Sequence, residues 1–429
     1  MRSLLSRRVT AAAVAVPVLL SLALGGASSA QSPSAAAPDT SITGTVTFWN
    51  GYAADGAEIT TFTEQVLPAF QARYPNITVN HQEIPYDDLR QKLVTGIAGG
   101  TLPDVLRSDI IWVPEFADQG VLLPLDQEMS DFADIAAGVF PGPLSTNKWG
   151  DHYYGLPLDT NTRVLFANTD VLAHAGITAL PTTIDEFEAM LKTVRDKLGP
   201  DIFGYAEGGT GAWSVLPWIW SMGGGITTDD LSTAQGVLNG PGTVAAVTKL
   251  KEWLDAGYLS PSILGGGTAT SDQFGNGQTG TIVEGPWMPG IFANQFPDLK
   301  FDYAPIPAGP GGSVSVVGGE DIVVFNTTQN KDAALAFTRF MLSAAAQRMM
   351  GTTGQMPVLA SLTDDPALPS FFSTFQQQLA TAKARTPVPT WSGIDEAISN
   401  GVLAALRGDT PIQDALDAAA TTVDGLLPK

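Results

Sequence analysis

Apolar and polar positions fall into two alternating periods from residue 44 onward. Gly44-Thr45-Val46-Thr47-Phe48-Trp49 alternates as a half-buried strand does, and Ile77-Thr78-Val79 does the same. Between them, Ile59, Phe62, Val66 and Phe70 recur at helical spacing, which predicts a helix over 58–73 with one apolar stripe. Leu89, Leu93 and Ile97 predict a second helix, stopped by Gly99-Gly100, and Asp104-Val105-Leu106 a short buried strand. The opening order is therefore β-α-β-α-β, the pattern of a sheet with helices on both faces.

The alternation resumes further on. Residues 163–168 read as a strand. Thr183-Ile184-Asp185-Glu186 has capping-box spacing ahead of a stripe made by Phe187, Met190, Leu191, Val194 and Leu198. Pro241 opens a helix carrying Val244, Leu250, Trp253 and Leu254. Thr281-Ile282-Val283 is a strand leading into Glu284-Gly285-Pro286-Trp287. Ile322-Val323-Val324-Phe325 is another, followed by a helix over 331–345, and the chain is mostly helical from Ser370 to its end.

The first residues break this pattern. Arg2, Arg7 and Arg8 precede an apolar run over 9–24, and small residues follow as far as Ala30. A basic start, a short apolar segment and small residues before a cut are the parts of a secretory signal, expected over 1–30. The run is shorter than the ~20 residues a spanning helix needs. Residues 31–43, rich in Ser, Pro and Ala, read as a flexible leader.

Length and charge narrow the picture. The chain of 429 residues is too long for one typical core and suits two domains. The formal charge is -21, and losing the three signal arginines moves it to -24. Such a surface repels nucleic acid and anionic headgroups, so no nucleic-acid partner is expected. With no cysteine there is no disulfide, no thiolate metal site and no lipobox cysteine to carry a lipid anchor.

Catalytic signals are sparse. His81, His152 and His174 lack metal-ligand spacing and read as ordinary structural histidines, so no metal or other cofactor is expected. There is no Gly-x-Ser-x-Gly elbow and no phosphate loop. Gly275-Asn276-Gly277-Gln278-Thr279-Gly280 matches Gly-x-Gly-x-x-Gly, but a strand follows it where a dinucleotide site needs a helix, so it reads as a turn. Carboxylates are many. Glycoside hydrolysis needs only two of them about 5–10 Å apart, a distance that sequence does not supply.

The tryptophans carry more. Trp49 ends a strand and is followed by Asn50-Gly51-Tyr52; Trp213 follows a Gly-rich stretch; Trp287 follows Gly285-Pro286; Trp391 follows Pro387-Val388-Pro389. In open α/β sheets ligands lie beyond strand ends. An indole face packs on the C–H face of a sugar ring while Asp, Asn and Arg bond its hydroxyl rim. These four, with Asn50 and Tyr52, are the candidate ligand contacts. Trp218, Trp220 and Trp253 lie on helical apolar stripes and are assigned to the core.

At this level the chain resembles a known family, the carbohydrate-binding extracellular solute-binding proteins of ABC importers (the maltodextrin-binding-protein-like group). The matching pieces are Val46-Thr47-Phe48-Trp49-Asn50, Gly100-Thr101-Leu102-Pro103-Asp104-Val105, the stretch from Glu115 to Leu122 with Pro124-Leu125-Asp126, Tyr154-Gly155-Leu156-Pro157, Phe274-Gly275-Asn276-Gly277-Gln278 leading to Gly285-Pro286-Trp287, and Gly318-Gly319. The resemblance implies an α/β fold of two lobes, each a sheet flanked by helices, with a cleft between them. It implies three hinge crossings, near 159–164, 316–322 and 362–370. Lobe 1 would then comprise 44–158 and 322–365, and lobe 2 would comprise 159–321 and 366–429. It also implies that Trp287 and Trp213 stack on sugar, that Asn161 with Asp159 nearby makes polar contacts, that Ser108 and Asp109 face the cleft, and that Gly319 and Glu320 border it. No catalytic residue is implied.

The function this implies is capture of a mono- or oligosaccharide outside the cytoplasmic membrane, as a monomer, and delivery to the permease subunits of an ABC importer. Two alternatives share the same features: a secreted glycoside hydrolase, and a binder of another small polar solute such as a peptide, polyamine or chelated metal.

Overall fold

The computed structural model describes residues 37–52 and 56–429. The expected signal over 1–30 and the first half of the leader lie outside the described residues. Two separate sheets organise the rest. The first has five strands in the order Ile77–Glu83, Gly44–Asn50, Val105–Asp109, Glu320–Val324, Gly155–Pro157. Its first three strands run parallel, and Glu320–Val324 is antiparallel to both of its neighbours. The second has four strands in the order Phe301–Ala304, Val164–Asn168, Thr279–Glu284, Phe203–Ala206, with only the last pair parallel. The β-α-β-α-β opening is thus present, and each sheet defines one lobe of a mixed α/β fold.

Strand alternation decides what each lobe buries. Phe48 faces one side of the first sheet, against Phe62 and Phe337 at ring separations of 5.4 and 5.1 Å. Trp49, one residue on, faces the other side, among Leu89, Leu93, Leu106 and Phe116. In the second sheet Val164, Leu165, Phe166 and Ala167 are all buried, because helices cover both faces. Trp218 and Trp253, assigned to the core from their helical stripes, lie there: Trp218 stacks on Phe187 at 5.2 Å and meets Trp253 edge-on at 5.3 Å. Trp220 is buried in the same cluster.

The helices show where local chemistry modifies the simple period. The segment 58–73 is helical throughout but widens by one residue per turn over Phe62–Val66, where Leu67 donates to the Phe62 carbonyl. The helix expected over 331–345 is two, Lys331–Met341 and Ala344–Gly351, because Ser343 leaves the helical path and its hydroxyl caps the second. Thr183 and Glu186 form the expected capping box at the start of Ile184–Leu198. Thr183→Ala is expected to cost about 0.5–2 kcal/mol in chemical denaturation. A short helix, Thr270–Gly275, precedes the Gly275–Gly280 loop and the strand Thr279–Glu284 follows it, the order of a turn and not of a dinucleotide site.

Candidate functional site between the sheets

The chain passes between the two sheets three times. The first passage, 158–163, and the second, 316–319, pair as short antiparallel strands, Asn161 with Gly318 and Thr162 with Val317. The third runs from Gly351 toward the helix Phe372–Leu379 and bridges the first where Met356 meets Thr160. Gly319 makes the close approach possible. Its φ is +134°, and a Cβ there would sit 2.5 Å from the Asp159 carbonyl oxygen.

A buried guanidinium ties these passages together. Arg107 rises from the apolar run Val105-Leu106, and its Nη2 lies 3.3 Å from Asp159, 2.8 Å from Glu320 and 3.0 Å from the Gln355 side-chain oxygen. Asp159 lies on the first passage, Gln355 on the third, and Glu320 opens the first-sheet strand that follows the second. The Gln355 amide donates to Glu58, and the Tyr52 ring lies 4.7 Å from the guanidinium carbon. Burial pushes the Asp159 and Glu320 carboxyls above the usual range, with Arg107 opposing that effect in both. A cavity of about 10 Å³, the size of one water, lies among Tyr52, Asp159, Gln347 and Gln355.

Beside this hub the two lobes meet. Asp109, at the end of its strand, accepts from the Tyr86 hydroxyl and the Ile111 N–H, and lies 3.4 Å from Arg385 of the C-terminal segment. Arg385 sits 5.4 Å from the centre of the Trp213 ring. Trp213 in turn stacks against Trp287 with 6.3 Å between centroids and 26° between planes. Both indoles are half-buried. The two near-parallel rings, offset from one another, line one aromatic wall with charged groups at its margin.

Trp213 is held from behind. Arg163, almost fully buried, donates to the Trp213 carbonyl and the Val283 carbonyl and pairs with Glu207 at 3.1 Å. Glu207 also accepts from Tyr205, Ser214 and the Gly208 N–H. Burial works against the Arg163 charge, but Glu207 and Glu284 outweigh it and keep the guanidinium protonated. Burial raises the Glu284 carboxyl, next to the Gly285-Pro286-Trp287 turn. Asp395 accepts from the Ala212 N–H at 2.6 Å and fixes the start of the helix Ala212–Ser221 that carries Trp213.

Of the sequence-predicted residues, Asp109, Asp159, Asn161, Trp213, Trp287, Gly319 and Glu320 lie along the passages and the aromatic wall, whereas Tyr52 is buried in the first-lobe core against Arg107. The Asn161 side-chain oxygen is buried with no hydrogen-bond partner among the described residues. Asn50 is fully buried, its side-chain oxygen accepting from the Tyr52 N–H, and the buried Ser108 hydroxyl donates to the Asp109 carbonyl. Two placements need correction. Trp49 packs in the interior of the first lobe, because strand alternation turns it toward the helix Tyr86–Gly99, where Lys92 lies 4.5 Å over its ring. Trp391 is 2 % exposed in the second-lobe core, on the inward face of the helix it begins. Neither indole offers a face to a ligand.

Sequence reasoning missed Arg107, Arg385, Tyr86, Glu58, Gln355 and Glu207. A signal existed for Arg107 alone: a charge inside an apolar strand is costly unless partnered. Among the described residues no group of His, Asp and Glu is disposed to hold a metal, and no helix is long and apolar enough to cross a membrane.

Comparison with known proteins gives the class. The family described as bacterial extracellular solute-binding protein matches residues 53–348. The chain belongs to that family. It is similar to a cyclic α-maltosyl-1,6-maltose binding protein from Arthrobacter globiformis, at 28 % identity and TM-score 0.74, covering 90 % of this chain and 99 % of that one. It is also similar to the GacH receptor of Streptomyces glaucescens, solved unliganded and with acarbose, at 23 % identity and TM-score 0.81, covering 90 % and 99 %. A maltotriose-binding protein of Pyrococcus abyssi is 24 % identical over 352 residues, 78 % of this chain and 73 % of that protein. The fold is the two-lobed one of these receptors.

Proposed function

We propose that this protein is the carbohydrate receptor of an ABC importer. It captures a mono- or oligosaccharide outside the cytoplasmic membrane and presents it to the permease subunits. The observation that carries this reading is the half-buried Trp213–Trp287 wall, bordered by Asp109 and Arg385 where the lobes meet. Indole faces suit the C–H face of a pyranose, and the charged margin suits its hydroxyls. The names of the three similar proteins given above, with maltosyl-maltose, acarbose and maltotriose as their ligands, support the same ligand class.

In this reading lobe 1 comprises 44–158 with 322–365 and lobe 2 comprises 159–321 with 366–429, except that Glu320 and Asp321 are strand residues of the first sheet and so belong to lobe 1. The ligand bonds to both lobes at once only when they close, so its binding energy shifts the open–closed balance. The protein performs no chemistry on the sugar, and its basic and apolar N-terminal segment serves to export it. Asn161, whose side-chain oxygen lacks a partner, is proposed to bond a ligand hydroxyl.

The test is a thermal-shift panel of mono- and oligosaccharides beside amino acids and polyamines, with chromatography of the sugars afterwards. A carbohydrate is expected to raise the melting temperature, since only the folded state binds it, and to be recovered intact. Stabilisation by a polyamine or amino acid and by no carbohydrate would reject the ligand class, and shortened products would favour a hydrolase.

A further inference from the structure

The Arg107 hub has an imbalance that bears on how the lobes move. Three acceptors, on Asp159, Glu320 and Gln355, converge on one nitrogen, Nη2, at 3.3, 2.8 and 3.0 Å. That nitrogen carries two hydrogens. Arg107 Nε has no partner among the described residues, so it relieves none of the demand. Two buried carboxyl groups thus crowd one cation, each with less than its share of donors. Two carboxylates so placed cannot both stay ionised at little cost; one proton shared between them removes the repulsion and supplies the missing donor.

The surroundings reinforce this. The other charged or titratable groups near the pair are Glu58, held by the Gln355 amide; the Tyr52 phenol, buried above Arg107; the Tyr86 phenol, donating to Asp109; Asp109 itself, matched by Arg385; and Asp321, next in the chain. Glu58, Asp109 and Asp321 add negative charge, and among the described residues Arg107 is the one cation ion-paired with both carboxyls. Asp321 is satisfied inside the first lobe by Asn147 and Thr146, so lobe movement leaves its partners unchanged. Asp159, in contrast, lies on the first passage, and Glu320 opens its strand directly after the second, where the chain leaves one lobe for the other.

We propose that closing the two lobes takes up one proton at the Asp159–Glu320 pair, and that Arg107 is the positioning residue that gathers the three passages around it. Opening lets water reach the carboxyls and returns them to ordinary acidity. The closed form therefore binds more protons than the open one. Closure is favoured at lower pH and is lost as pH rises through the raised value of the closed state, by up to about tenfold in the closed-to-open ratio per pH unit. This inference goes beyond the sugar-receptor reading and needs only the two lobes.

The test uses the ligand-free protein, so its outcome is independent of what the protein binds. The chain has no cysteine, so Gln119→Cys and Asp229→Cys, both exposed and one on each lobe, accept a fluorophore pair cleanly. Energy transfer is followed from pH 5.5 to 8.5, with circular dichroism confirming the fold. The labelled protein is expected to open as pH rises. Asp159→Asn and Glu320→Gln, each removing the shared proton site with an isosteric neutral group, are expected to flatten the response, while Asp134→Asn, at an exposed position of the first lobe, preserves it. A flat profile in the unsubstituted labelled protein would overturn the proposal. So would a pH response that survives in both Asp159→Asn and Glu320→Gln.

Discussion

Arg163→Ala is expected to lower the free energy of unfolding by about 3–5 kcal/mol, the range for breaking a buried ion pair by removing one partner. Arg163 and Glu207 are 1 % and 4 % exposed, so the carboxylate left behind has no water to turn to. The substitution also strips donors from the Trp213 and Val283 carbonyls, which are themselves inside the second lobe. Urea denaturation followed by circular dichroism measures the loss. Adding Glu207→Gln to Arg163→Ala is expected to restore part of it, because the amide keeps an acceptor for Tyr205 and Ser214 without the stranded charge. If the double variant is as unstable as the sum of the two singles, the pair is not the source of the effect.

The second large effect falls on binding. Trp287→Ala is expected to weaken affinity for the sugar identified in the thermal-shift panel by about 1–3 kcal/mol, or 5- to 150-fold. Trp213→Ala is expected to do the same. Because the two indoles stack on each other at 6.3 Å, removing one also unseats the other, and the double variant should lose less than the sum of the singles. Trp49→Phe, at an indole turned into the first lobe, should leave affinity within a factor of about three, since it lies on no ligand face. Calorimetric titration of the four proteins with the same sugar decides this. Unchanged affinity in Trp287→Ala would remove it from the site.

How much of this was legible in the sequence depends on the range of the interactions involved. Local rules located the elements well: the Ile59–Phe70 stripe, the Thr183–Glu186 capping box and the alternation over 44–49 all correspond to real helices and strands. Local rules also erred where a single side chain rewrote the backbone path, as Ser343 does between its two helices. Trp287 and Trp213 stood out by their Gly-rich and Pro-rich flanks, and they meet. Trp49 and Trp391 had similar flanks and are buried, because the deciding factor is which face of a strand or helix a neighbouring element covers. That factor lies outside any local window. The hub around Arg107 and the Asp109–Arg385 contact were out of reach for the same reason. Asp109 and Arg385 are 276 positions apart and become neighbours only once three passages bring the lobes together.

The central claim is that a sugar lies against the Trp213–Trp287 wall. Fluorine NMR of protein labelled with 5-fluorotryptophan reads it most directly, since each of the nine tryptophans reports separately and single substitutions assign the signals. Titration with the stabilising sugar is predicted to move the Trp213 and Trp287 resonances while those of Trp218 and Trp253, packed in the core, stay in place. Saturable binding that leaves Trp213 and Trp287 unmoved would contradict the account.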